Sequence, residues 1–140
     1  MKKTFNMQFI RYINLFSRIT KIRARHCFPY NNMLVFVVPR NVVERAIGRN
    51  NENLRRLSDA FGKRIRIVGE PKGYKDVKSF VSIVVSPVQF QSLEIREKEL
   101  LITAGGRESK ALLIGRERAR EQELKDILEQ YFEIKNIKIL

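Results

Sequence analysis

One short string occurs twice in this sequence, at a spacing of 67 residues. Ile47-Gly48-Arg49 recurs as Ile114-Gly115-Arg116. At the same spacing, Leu34-Val35 corresponds to Leu101-Ile102, Leu57 to Leu124, and Asp59 to Asp126. Two copies of a unit of about 70 residues account for 140 residues better than one domain does. The sequence therefore predicts two domains, residues 1–70 and 71–140, with the boundary at Glu70-Pro71-Lys72-Gly73.

Hydrophobic periodicity predicts the same order of elements, α-β-β-α-α-β, in each half. For the first half the prediction is a helix at 5–19, strands at 22–28 and 33–38 around a turn at 29–32, helices at 42–47 and 54–61, and a strand at 64–67. For the second half it is a helix at 76–84, strands at 88–96 and 99–103, helices at 109–114 and 124–131, and a strand at 136–139. Residues 76–84 fit either a helix or a strand, and we prefer the helix. The whole is expected to be an α+β protein with a three-stranded sheet in each unit.

The charge of the chain is strongly basic and unevenly distributed. There are 28 Lys and Arg against 15 Asp and Glu, which gives +13 and an isoelectric point near 10.3. Residues 1–70 hold 15 basic and 4 acidic side chains, for +11, whereas residues 71–140 hold 13 and 11, for +2. A polyanionic partner is therefore expected, nucleic acid before membrane, and it is expected to contact the first half.

The composition also excludes several classes of protein. A single Cys forms no internal disulfide, which argues against a disulfide-stapled secreted domain and favours a reducing, cytoplasmic setting. One His and one Cys are too few for a zinc finger. No apolar run approaches the roughly 18 residues of a membrane span, and Arg11 and Arg18 interrupt any signal-peptide core after Lys2 and Lys3. The first helix is amphipathic, but we interpret its apolar side as packing on the sheet rather than on a membrane.

The sequence contains no arrangement typical of catalysis. His26 and Cys27 are neighbours on a predicted strand, so their side chains face opposite sides of the sheet and do not form a nucleophile and base pair. Walker, GxSxG and HExxH motifs do not occur. We expect no enzymatic activity, no metal site, no cofactor and no small-molecule substrate.

Each half resembles a type II KH domain, in which a GxxG loop joins two helices beside a three-stranded sheet. The residues that carry the resemblance are Ile10 to Phe16 in the first helix, Arg45 to Val68, and Leu112 to Leu128 followed by the final strand. The doubled arrangement is similar to that of the short archaeal NusA-like transcription factors, which consist largely of two KH domains. The resemblance implies binding of single-stranded RNA, and further a role in transcription elongation or termination with nascent RNA and RNA polymerase as partners.

The loop between the two central helices is suited to phosphate on physical grounds. A tight turn entering a helix exposes unpaired N–H groups at the positive end of the helix dipole. In KH domains this loop holds the backbone of about four nucleotides, and an adjoining apolar groove receives the bases. The candidate RNA-binding residues are the loop itself (Gly48, Arg49, Asn50, Asn51), the nearby cations (Arg55, Arg56, Lys63, Arg64, Arg66) and the apolar positions Ile47, Leu54 and Ile65.

Both copies of the loop depart from GxxG. The first ends in Asn51, and Asn tolerates left-handed backbone and is a good helix N-cap, so the turn is expected to form. In the second, Glu117 repels phosphate and Arg118 adds bulk. We therefore expect the second loop, with Gly115, Arg116 and Arg118, to be the weaker RNA site. Two other hypotheses stay open: a ribosome-associated or RNA-processing KH protein, and a protein-interaction adaptor whose loops no longer bind RNA.

Overall fold

The computed structural model describes residues 7–140, so the predicted start of the first helix at Phe5, with Lys2 and Lys3, lies outside the described residues. The chain divides into two compact units, Met1–Glu70 and Pro71–Leu140. Each unit has the element order α-β-β-α-α-β and one three-stranded sheet, which confirms the predicted α+β fold class. Among the described residues, none of the helices has the length and hydropathy needed to cross a membrane.

The first unit is built around a central strand that is buried along its whole length. Its elements are α1 (Met7–Thr20), β1 (His26–Tyr30), β2 (Met33–Val38), α2 (Val43–Ile47), α3 (Glu52–Phe61) and β3 (Arg64–Gly69). Strand β2 pairs antiparallel with β1 and parallel with β3, with Leu34 opposite Ile65. A short apolar run buried on both faces is typical of a central strand, and the six residues of β2 fit that pattern.

The core of the first unit lies between the sheet and the three helices. Leu34, Phe36 and Val38 from β2 face the helices and are almost fully buried. The ring of Phe16 from α1 stacks on that of Phe36 with the centroids 4.4 Å apart. Because successive residues of a strand face opposite sides, the partly buried Ile65 on β3 packs against this core, while Arg64 and Arg66 project to the other side.

The second unit repeats the arrangement with different side chains. Its elements are α4 (Val77–Val85), β4 (Ser92–Arg96), β5 (Glu99–Thr103), α5 (Arg107–Ile114), α6 (Ala119–Phe132) and β6 (Asn136–Ile139). The central strand β5 pairs antiparallel with β4 and parallel with β6. The preference for a helix at residues 76–84 is confirmed by α4, whose inner face buries Phe80, Val81 and Val84.

Two predicted strands begin too early, and the first of them is β1. This strand starts at His26 rather than Ile22, because the chain first bends, although Ile22 and Ala24 are buried as the alternation required. The hairpin turn that follows β1 is also shorter than predicted. It consists of Asn31 and Asn32 alone, both with positive φ, as expected of a two-residue hairpin turn.

The second of these strands was predicted at residues 88–96, but only Ser92–Arg96 form a strand, β4. The backbone N–H of Val88 donates to the carbonyl of Val85, 3.1 Å away, so the segment after Pro87 first forms a turn at the end of α4. Alternation of apolar residues at Val88 and Phe90 is therefore not accompanied by strand pairing, which begins at Ser92 opposite Thr103.

Candidate nucleic-acid interface

The first loop starts at a glycine whose backbone conformation other residue types rarely adopt. Gly48 has φ 85° and ψ 164°, a region occupied almost only by glycine. Its N–H donates to the carbonyl of Glu44 at 3.0 Å and ends α2. A Cβ at this position would lie 2.9 Å from the backbone nitrogen of Asn53. Glycine is therefore required both by the angles and by the close approach of α3.

The two asparagines complete the turn in left-handed backbone. Asn50 has φ 54° and Asn51 has φ 62°, and the N–H of Asn51 donates to the carbonyl of Gly48 at 3.1 Å. Asn51 occupies the expected N-cap position of α3, but its side chain makes no capping hydrogen bond. The guanidinium of Arg55 braces the turn, because its Nη1 donates to the carbonyl of Asn50 at 2.6 Å.

A groove of about 370 Å³ runs beside this turn, between α3 and the edge strand β3. It brings together six of the residues predicted from sequence: Asn51, Leu54, Arg55, Arg64, Ile65 and Arg66. Met33 and Ser58 also line the groove and were not predicted. Met33 is predictable only from the register that places it opposite Arg64, and Ser58 only from its position one turn after Leu54 on α3.

The other predicted residues lie around the groove rather than in its wall. Arg49 is exposed within the loop, and Arg56 and Lys63 are exposed near it. Ile47 is half-buried and packs on the core below the turn, as do Leu54 and Ile65, which also line the groove. The groove therefore has an apolar floor continuous with the core and cationic side chains at its rim.

The cations of β3 stand close to one another at the edge of the sheet. The Nη2 of Arg64 donates to the carbonyl of Asn31 at 3.0 Å. Partial burial lowers the pKa of Arg66, and the neighbouring Arg64 cation lowers this pKa further, against an opposing effect of Tyr30. An arginine remains charged despite such a shift, so an anion entering here meets two guanidinium groups whose mutual repulsion it would relieve.

The second loop has the same backbone as the first. Gly115 has φ 77° and ψ 167°, and Glu117 and Arg118 have φ 55° and 63°. The hydrogen bonds also match: the N–H of Gly115 donates to Ala111 at 2.9 Å, and the N–H of Arg118 to Gly115 at 3.1 Å. The turn therefore forms without asparagine, with two residues that seldom adopt positive φ.

Two arginines, one at the end of the second loop and one just after it, lie beside carboxylates of α6. Nη1 of Arg118 lies 2.8 Å from Oε1 of Glu121, a partly buried residue in the position that Leu54 occupies in the first unit. Nε of Arg120 lies 2.8 Å from Oε1 of Glu123. The counterpart of Arg55 is Gln122, which donates to Asp126 at 3.0 Å and not to the loop. Arg118 of this turn and Arg120 of α6 thus each have a carboxylate of α6 as a partner.

His26 and Cys27 face opposite sides of β1. The ring of His26 stacks on that of Phe28 with centroids 5.6 Å apart, and burial lowers the pKa of His26. Cys27 is buried in the core on the helix side, which raises the pKa of its thiol. Within residues 7–140, no group of three or more His, Cys, Asp or Glu side chains is placed to hold a metal ion.

Two curated proteins from methanogens match much of the chain. The probable transcription termination protein NusA of Methanococcus vannielii is 26% identical over 97 residues, 69% of this chain and 54% of that relative. The protein of the same name from Methanocaldococcus jannaschii is 24% identical over 87 residues, 62% of this chain and 46% of that relative. In sequence the chain is similar to these two NusA proteins. It spans about half the length of the curated relatives it matches.

A solved structure resembles the chain in its fold. The crystal structure of APE1850 aligns with 97% of the chain and with 100% of its own length, at a TM-score of 0.68 and 26% identity. No protein-family model matches the chain. The likeness therefore includes both units, Met1–Glu70 and Pro71–Leu140.

Proposed function

We propose that this NusA-like chain binds single-stranded RNA through its first KH-like unit and acts in transcription elongation or termination. The observation that carries the proposal is the left-handed turn Gly48–Asn51, which opens α3 directly beside a groove with an apolar floor and a cationic rim. The sequence resemblance to KH domains and the probable NusA relatives support the same assignment.

The turn is suited to hold a phosphate without rearrangement. Its backbone is fixed by the angles of Gly48 and by the hydrogen bond from Arg55 to the carbonyl of Asn50. It leads into the N-terminus of α3, where the helix dipole and N–H groups favour an anion. A pre-formed site of this kind gains affinity because little conformational freedom is given up on binding.

The groove supplies the remaining contacts that a short RNA strand needs. Leu54 and Ile65 offer an apolar surface for base faces, and Arg55, Arg64 and Arg66 attract the phosphates or stack on bases. The regional charge of +11 in residues 1–70 adds long-range attraction. We place the weaker contact in the second unit, where the loop cation Arg118 is already paired with Glu121, and the following Arg120 with Glu123.

The role in transcription rests on the relatives, each of which is a probable transcription termination protein. We propose nascent RNA and RNA polymerase as the partners and the cytoplasm as the location. Co-purification from native extract tests this part: recovery of polymerase supports it, whereas recovery of ribosomes without polymerase favours a ribosome-associated KH protein.

RNA binding itself is tested by a salt titration with single-stranded RNA oligomers. Each phosphate contact is expected to lower log affinity by about 0.7 per unit of log salt concentration, so several contacts produce a steep dependence. A duplex of the same sequence should bind more weakly, because its bases do not enter the groove. Absence of binding at low salt would contradict the proposal and favour the protein-interaction adaptor.

A further inference from the structure

Helix α1 carries cations on the side that faces away from the core. Arg11 and Arg18 are seven residues apart, which places them on the same side of the helix, about 10 Å apart along its axis. Lys21 follows at the end of the helix, and Arg23 lies two residues further on. All four side chains are exposed. We call these four residues the α1 track.

The α1 track has no counter-charge nearby in the sequence. The chain contains no Asp or Glu before Glu44. Within residues 7–140, the four side chains form no ion pair and no side-chain hydrogen bond with another residue. The next cation along the chain, Arg25, has its Nε 3.6 Å from a carboxylate oxygen of Glu70. The track is therefore a concentrated and uncompensated positive surface.

Solubility alone does not account for such a surface. The other charged helices mix the two signs: α3 has Glu52 and Asp59 beside its arginines, and α6 pairs Arg120 with Glu123. Among the helices of residues 7–140, α1 alone has more than one cation and no carboxylate. Its counterpart in the second unit, α4, has only Lys78. The second unit therefore forms the same fold without such a cluster of cations on its first helix.

None of the four residues of the α1 track lines the groove of the same unit. Helix α1 packs against β1 and α3, and the groove runs between α3 and β3, the strand at the edge of the sheet opposite β1. The nearest exposed neighbours on the outer side of α1 are mostly polar, such as Gln8 and Asn14, with only Ile10 apolar at 42% exposure. Protein interfaces usually have an apolar centre, whereas contacts to a phosphate backbone do not need one.

We propose that the α1 track is a second contact site for the phosphate backbone of the RNA strand that the groove holds. This inference rests on the proposed function, since it takes the groove as the first contact. The turn and groove accommodate about four nucleotides. A longer strand continues past the groove and reaches the track, so the site acts only on RNA longer than the groove can hold. It contributes attraction without base specificity.

The test compares two lengths of oligouridylate, about 6 and about 24 nucleotides, on the full chain. The track variant is Arg11→Gln, Arg18→Gln and Lys21→Gln. The matched control is Lys75→Gln, Lys78→Gln and Lys110→Gln, which removes the same charge from exposed lysines of the second unit. Circular dichroism melting establishes that both variants fold.

We expect the track variant to bind the short RNA within about twofold of the parent chain. On the long RNA its salt slope should be shallower by about 0.7 for each phosphate that the variant no longer neutralises, up to about 2, while the control keeps the parent slope.

Equal slopes for track variant and parent on the long RNA would overturn the proposal and favour an acidic protein as the partner of α1. An equal reduction in the control would also overturn it, since net charge alone would then explain the effect. Failure of the parent chain to bind the short RNA would instead contradict the proposed function.

Discussion

The backbone angles of single residues decide whether the phosphate-binding turn can form. Gly48 and Gly115 lie in a region that other residues hardly occupy, and in both loops two left-handed residues complete the turn. The repeated string Ile-Gly-Arg made the glycines recognisable from sequence. The left-handed Glu117 and Arg118 were not recognisable, because neither residue type favours that backbone and only the surrounding helices impose it.

Replacement of Gly48 by Ala should destabilise the chain more than replacement of Gly62 by Ala. Both glycines end a helix at positive φ, but a Cβ at Gly48 meets the backbone nitrogen of Asn53 at 2.9 Å, whereas a Cβ at Gly62 has no atom of residues 7–140 within 4 Å. We expect the unfolding free energy to fall by about 1 kcal/mol for Gly62→Ala and by about 2–3 kcal/mol for Gly48→Ala. Urea unfolding measures both, and equal decreases would contradict the steric argument.

Arg55 should contribute more to RNA affinity than its charge alone provides. It lines the groove and donates to the carbonyl of Asn50, whereas Arg56 is exposed outside the groove wall. We expect Arg55→Gln to weaken binding of a short single-stranded RNA by roughly tenfold and Arg56→Gln by about twofold, because the first change also loosens the turn. Fluorescence anisotropy on both variants gives the ratio, and similar effects would show that only charge matters.

The single histidine is expected to make the stability of the first unit depend on pH. Burial lowers the pKa of His26 in the folded chain, so the unfolded state binds the proton more strongly. Stability from this group is present above the unfolded pKa of about 6.5 and is lost as pH falls through the folded pKa. We expect the unfolding free energy to decline from pH 7.5 to pH 5.5, by no more than about 1.4 kcal/mol per pH unit. A His26→Gln chain should lack this decline, and persistence of the decline would exclude His26 as its source.

At the scale of elements, the helices and the central strands were the predictable parts. Helical spacing of apolar residues predicted α1, α3 and α6, and the continuous apolar run predicted β2. Strand ends were less predictable, because alternation continues into segments such as residues 22–24 that are buried without forming ladder pairs. The groove was only partly predictable, since Met33 and Ser58 join it through register and helix packing rather than through any local signal.

The second loop should gain RNA affinity when its side chains are made like those of the first. The double variant Glu117→Asn, Glu121→Leu removes two carboxylates. Asn at position 117 tolerates the left-handed backbone found there, and Leu at position 121 releases Arg118 from its 2.8 Å ion pair. We expect affinity for single-stranded RNA to rise several-fold, with a salt slope steeper by about 0.7–1.4. The control Glu94→Gln with Glu133→Gln makes the same change in charge elsewhere. An equal gain in the control would indicate a general charge effect.

At the scale of the whole molecule, the two units share one fold but differ in net charge and in the ion pairing of their loops. The first unit combines the +11 charge with a groove rimmed by cations, and the second combines +2 with a loop in which Arg118 is paired with Glu121. This inequality was visible in the sequence as regional charge and as Glu117. The ion pair of Arg118 with Glu121 was not, because it depends on the left-handed turn that sets the direction of the arginine.

The central claim is that the turn Gly48–Asn51 holds the phosphates of single-stranded RNA. It is tested most directly by the affinity of the Asn50→Asp, Asn51→Asp chain for a short RNA, beside a control with Gln89→Glu and Gln91→Glu at exposed positions of the second unit. Aspartate tolerates the same left-handed backbone, so the turn should persist while two carboxylates face the phosphate. We predict that affinity falls by at least about 30-fold in the first chain and by less than about threefold in the control. Equal affinities in the two chains would contradict the claim.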